Sequence, residues 1–181
     1  MKIHWFVRCL VASAASLALA VPASAAVDYL LKIDNVKGES TVKGHEGEIE
    51  VLAWTWGMSR GATDPRGAGG MAASKPCVSD IAFTKYLDLA TPLLIANLMS
   101  GMTIPKAKLT GLRSGETQVE FLVIELTGIL ISSLQDSGGG GEQPTESLSL
   151  RFGGAKVTYR PQGPDGKPGT PVETTFKAGS C

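Results

Sequence analysis

"ESLSLRFGGAKVTYR", residues 146–160, is a strand that changes step halfway along. Leu148, Leu150 and Phe152 alternate with Ser147, Ser149 and Arg151, the two-residue period of a strand with one buried face. Beyond Gly153 and Gly154 the apolar positions move to odd numbers, Val157 and Tyr159. A one-residue slip sends every later side chain to the opposite face, so the glycines predict a bulge or tight turn.

Other segments carry the same signature. Tyr29, Leu31 and Ile33 alternate with Lys32 and Asp34. In "EIEVLAWTWGM", residues 48–58, Ile49, Val51 and Ala53 share one face while Leu52, Trp54 and Trp56 share the other. Both faces are apolar, which predicts a strand covered on two sides. A short strand is expected over 78–83, and the longest over 117–131, where Phe121 to Ile124 are apolar on both faces. "DSGGGGEQPT", residues 136–145, joins two strong strands as a long hairpin loop.

One stretch has helical credentials. Thr91 suits a cap, Pro92 the first helical position and Gly101 a left-handed terminator, and between them only Asn97 is polar. A helix apolar on nearly all sides requires a second partner surface, and a neighbouring subunit would supply one. The segment 58–76, "MSRGATDPRGAGGMAASKP", is glycine-rich and aperiodic, a functional excursion or disorder. "GPDGKPGTP", from Gly163, holds too few triplets for a collagen helix and predicts proline-fixed turns.

The amino terminus has a different grammar. Lys2 and Arg8 precede an apolar run from Cys9 to Val21 that ends in Pro22-Ala23-Ser24-Ala25, the anatomy of a secretory signal peptide over residues 1–25 cut after Ala25. The run is too short to span a bilayer. The expected mature protein, residues 26–181, is one domain, exported to the periplasm or beyond, with 15 basic against 17 acidic side chains. That balance argues against nucleic acid or an anionic membrane as partner. Cleavage leaves Cys77 and Cys181, which in an oxidising compartment are candidates for a disulfide. Closing a loop of about 100 residues would be worth roughly 4 to 5 kcal/mol in the chain-entropy model. Two free thiols, or a Cys181 that links two chains, are the alternatives.

Catalytic patterns are missing. His45, the single histidine of the mature chain, lies in "KGHEGE" with no nucleophile marked beside it, and is expected to be a solvated or hydrogen-bonding loop residue. One histidine with scattered acids falls short of a zinc site. Glu48, Glu50, Glu120 and Glu125 stand at alternating strand positions, where salt bridging or solvation is the ordinary use. Gly67 to Gly70 lacks the Gly-Lys-Ser/Thr of a phosphate loop. Nothing calls for a cofactor or a metal, and an enzyme is not expected. Trp54 and Trp56 are expected in the core or in a subunit contact.

In order along the chain, "VDYLLKIDNVKGES", "HEGEIEVLAWTWGM", "FTKYLDLATPLL", "PKAKLT", "FLVIELTGILISSL", "GGGGEQPTESLSLRF" and "VTYRPQ" resemble the haemolysin-coregulated protein (Hcp) family of type VI secretion. The resemblance implies a closed or nearly closed β-barrel with one flanking α-helix, six copies in a ring, rings stacked into a tube, effector proteins in the lumen, and no catalysis. Trp54, Trp56, Met58, Arg60, Arg66, Met71, Leu94 and Leu98 are the candidate subunit contacts on this basis. Tube-building members are expected to lack an export signal. An exported paralogue, ring-forming or acting as a binding module, is therefore the alternative, and the terminal cysteine in "TTFKAGSC" fits it.

Overall fold

The computed structural model describes residues 26–61, 74–113, 118–163 and 166–178. Its elements run β1 (Val27–Ile33), β2 (Ile49–Val51), β3 (Ala53–Thr55), β4 (Met58–Ser59), β5 (Cys77–Val78), β6 (Ile81–Tyr86), α1 (Thr91–Ser100), β7 (Ile104–Arg113), β8 (Val119–Ser137), β9 (Thr145–Tyr159) and β10 (Val172–Lys177). One antiparallel sheet has the order β2-β1-β7-β8-β9-β6-β3, with β10 added to β9, and β4 pairs with β5 alone.

The two ends of that order are one piece of chain. β2 places Val51 opposite Tyr29 of β1, while β3 places Ala53 opposite Thr84 of β6. Between them the Leu52 N–H donates to the Thr84 carbonyl at 2.8 Å. The segment bends at Leu52 and pairs to both sides, which curls the sheet into a barrel without a free closing edge. The two-sided cover expected for residues 48–58 is not what forms. Ile49 and Val51 point inward, Leu52 and Ala53 are exposed, and Trp54 turns back onto the core, so the inward face changes at the bend.

The phase change at Gly153 and Gly154 is real but is made differently from the expectation. β9 runs unbroken through both glycines, burying Leu148, Leu150 and Phe152 before them and Ala155 after. β8 shifts at the same level, from Ile124 and Leu126 to Ile129 and Ile131. Thr127 pairs Gly154 and Ile129 pairs Phe152, so the register holds while Gly128 and Gly153 turn together. Gly128 adopts φ +61°, which L side chains rarely reach. Register shifts lie elsewhere, at Gly111/Leu112 in the β7–β8 ladder and at Ile131/Ser133 in the β8–β9 ladder. Val157 is half-buried against the core, as its shifted phase requires, whereas Tyr159 is exposed beside Phe121.

This corner divides β9 between two neighbours. β6 covers its edge up to Leu150, and β10 covers it from Gly154 onward. The core inside includes Leu31, Ile49, Phe83, Leu109, Ile124 and Leu148, all essentially inaccessible. Replacing Gly128 by Ala forces a side chain into the left-handed region at about 1–2 kcal/mol. At about 2–4 °C per kcal/mol for a chain of this size, Tm should fall by roughly 2–8 °C. Gly139→Ala, in open space in the hairpin loop, should leave Tm unchanged by circular dichroism melting. Equal effects of the two would remove the special role of the corner.

Candidate interaction surfaces

α1 forms where the sequence places it, but its start differs. Ala90 occupies the cap position with helical φ and ψ and no side-chain cap, and Thr91 is the first helical residue. The Thr91 hydroxyl instead accepts from Lys85 Nζ at 3.1 Å and from the Asp88 N–H at 3.3 Å. Asp88 Oδ1 accepts the Ala90 N–H at 3.0 Å, satisfying a donor near the helix entrance. Gly101 ends the helix at φ 63°, its N–H bonded to the Leu98 carbonyl.

Lys85, on β6, is the anchor under this turn and is 1% exposed. Its ammonium donates to the Tyr86 carbonyl at 2.9 Å and to Asp88 Oδ1 at 2.7 Å. It also lies 3.2 Å from Oε1 of Glu146, which is fully buried on β9. Burial raises the Glu146 carboxyl above the ordinary range, against the opposing pull of the Lys85 charge.

With the helix pinned on this side, α1 packs against β8 and leaves an apolar face outward. Leu94 is 0% exposed and belongs wholly to the core, so it has no surface left for a neighbouring subunit; Leu98 is half-buried beside it. The outward face is made by Leu93, Ile95 and Met99, with Met102 just beyond, and Met99 is 80% exposed.

The two tryptophans belong largely to the protomer. Trp54 meets Tyr29 edge-on at 6.0 Å between centroids. Trp56 stacks on Phe176 at 5.7 Å, meets Phe152 at 5.5 Å, and donates its indole N–H to the Ser79 carbonyl. Met58 and Arg60 are exposed. Arg66 and Met71 lie outside the described residues, as do Cys181 and the signal segment 1–25. The base of the 58–76 excursion is nevertheless ordered as a stalk: Met58 pairs Val78, Ser59 pairs Cys77, and Ser74 donates both its N–H and its hydroxyl to the Gly61 carbonyl. Cys77 is disulfide-bonded.

His45 is the hydrogen-bonding loop residue rather than the solvated one, the second of the two forms expected of it. It is buried, with Nδ1 3.0 Å from Glu48 Oε2 and Nε2 3.6 Å from Glu120 Oε1. Glu120 also reaches Lys108 at 3.8 Å, so the cluster ties the 35–48 loop to β7 and β8. The distance between Glu120 and His45 in sequence hid this pairing; the alternating glutamates were its one visible trace. Among the described residues, no group of three or more His, Cys, Asp or Glu side chains is placed to hold a metal, and no helix is long and apolar enough to cross a membrane.

A nearly closed barrel with an exposed apolar helix face and a paired stalk at 58–61 and 74–78 is the fold to be placed. Comparison with known proteins gives that fold its family. Residues 30–159 match the family model described as "Type VI secretion system effector, Hcp". A Pseudomonas aeruginosa protein named "Protein hcp1" is 48% identical over 151 residues, covering 82% of this chain and 93% of that one. The solved "Structure of a type six secretion system protein" superposes with a TM-score of 0.79 at 30% identity, covering 84% of this chain and 96% of that one. Hcp1 from Salmonella typhimurium does so at 0.70 and 30%, covering 84% and 95%. The chain belongs to the Hcp family of type VI secretion, the family of its tube subunits.

Removing Lys85 alone, as Lys85→Met, leaves the Glu146 charge buried and should cost about 3–5 kcal/mol in urea unfolding. Lys85→Met with Glu146→Leu should recover most of that loss. Because the folded-state pKa of Glu146 is raised, the native state holds more protons than the unfolded state, and its contribution falls as pH rises above about 4.5. Glu146→Gln should flatten that part of the stability profile, and an unchanged profile would contradict the assignment.

Proposed function

We propose that this chain is the ring-forming subunit of a type VI tube, six copies to a ring, with other secreted proteins carried in the lumen. The observation that carries this reading is the outward face of α1: Leu93, Ile95 and Met99 are exposed together on a helix whose other side is locked to the barrel. Apolar faces of this kind mark contacts between proteins. Met58 and Arg60, at the root of the stalked loop, are assigned to contacts with a further subunit or ring, together with the 62–73 tip.

A second reading has specific support. The signal-like residues 1–25 and the disulfide at Cys77 fit a copy that folds in an oxidising compartment, with Cys181 as the partner cysteine retained after cleavage. On this reading the ring forms in the periplasm or outside the cell. The amino-terminal residue of the protein taken from its source separates the two: Ala26 in the periplasm supports export, and an unprocessed chain in the cytoplasm supports the tube.

Mass photometry of the mature chain should give a species of six protomers. Leu93→Glu with Met99→Glu should reduce it to monomers while Tm moves by less than about 2 °C, since both side chains are already exposed. Removing 62–73 should leave rings intact and weaken their stacking in electron micrographs. A wild-type monomer at micromolar concentration would overturn the ring assignment.

A further inference from the structure

Beyond the corner at Gly128 and Gly153, the outer face of β1, β7, β8, β9 and β10 curls into a groove of about 770 Å³. Its walls carry Lys32, Lys106, Lys108, Lys156 and Lys177 against two carboxylates, Asp34 and Glu125. The register explains how residues so far apart in sequence converge. Lys32 stands opposite Lys108, Lys108 opposite Glu125, and Glu125 opposite Lys156, which makes one row across four strands. Two residues along, Lys106 stands opposite Thr127, Thr127 opposite Gly154, and Gly154 opposite Lys177.

Local pairing does not use up this charge. Lys156 is held by Glu173 at 2.9 Å, and Lys108 reaches Glu120 at 3.8 Å. Among the described residues, Lys32, Lys106 and Lys177 take part in no ion pair. Like charges facing each other across a ladder destabilise it, so Lys32 opposite Lys108 works against the sheet; Glu125 and Glu120 offset this at Lys108, while Lys32 has no carboxylate in an ion pair with it among the described residues.

We propose that this groove docks an acidic, extended stretch of polypeptide from a partner protein. Its size fits: four inter-strand steps of about 4.8 Å give a path of roughly 19 Å, the length of five to six extended residues. Its chemistry favours carboxylates spread along a chain. The cations are all lysine, point charges on flexible stems that accept varied carboxylate positions, with none of the arginine forks that grip phosphate in pairs. Single-stranded nucleic acid is bound on exposed stacking platforms, whereas Phe176, the groove's aromatic residue, is already stacked on Trp56. Asp34 and Glu125 interrupt the positive field, which suits a peptide of mixed side chains better than a continuous phosphate backbone. The site lies within one protomer and does not rest on the ring reading.

Fluorescence anisotropy with fluorescein-labelled hexaglutamate tests it, using the mature protein in whatever assembly it forms. Binding should weaken at least tenfold between 50 and 300 mM salt, because exposed charges are screened. It should also weaken at least tenfold in Lys32→Gln/Lys106→Gln/Lys177→Gln, while Lys37→Gln/Lys43→Gln, exposed lysines outside the groove, binds as wild type. Melting curves establish that both variants are folded. The proposal is overturned by no binding to wild type, by an equal loss in both variants, or by hexathymidylate binding as tightly as hexaglutamate at the same salt.

Discussion

The bend at Leu52 is the constraint on which the rest of the structure depends. A sheet of this length with two open edges would present unpaired backbone donors and acceptors at both. Here residues 49–51 pair to one edge and residues 53–55 to the other, with the Leu52 N–H bridging to Thr84 at the turn. Closure places Ile49 and Val51 among Leu31, Phe83 and Leu109, so the core exists as a single volume because this segment serves two strands. It also orients β6, and with β6 come Lys85 and the entrance to α1.

The protein's surfaces follow from that geometry. Lys85 spans β6, the helix entrance and β9, which fixes one side of α1 and leaves Leu93, Ile95 and Met99 outward. The glycine corner bends β8 and β9 together, hands the β9 edge from β6 to β10, and curls the outer face that gathers the five lysines. The barrel therefore carries both an apolar helix face and a cationic groove, two surfaces whose chemistry suits different partners. Both work through packing and charge, consistent with membership of a family whose role is structural.

Much of this was legible in the sequence because it is local. Alternation marked β1 and β9, the glycine-rich run marked the β8–β9 hairpin, and Pro92 with Gly101 bracketed the helix. The failures were non-local. A strand apolar on both faces predicts cover on two sides, whereas residues 48–58 change their inward face at a bend that only pairing with both β1 and β6 explains. The glycine phase shift was visible on β9, but its matching shift on β8 required the register. His45 with Glu120, Lys85 with Glu146, and the lysine rows of the groove each join strands far apart in the chain. Leu94 looked available for a subunit contact because periodicity in an almost wholly apolar helix does not say which side is already occupied.

Native-state hydrogen exchange at single-residue resolution tests barrel closure most directly. If the bent segment holds the barrel shut, the Leu52 amide should exchange only through global unfolding, with the same opening free energy and denaturant dependence as the amides of Leu109 and Ile124 in β7 and β8. Exchange at Leu52 through a local opening several kcal/mol below that level, with β7 and β8 still protected, would show that the barrel stands without its closing segment and would contradict the account.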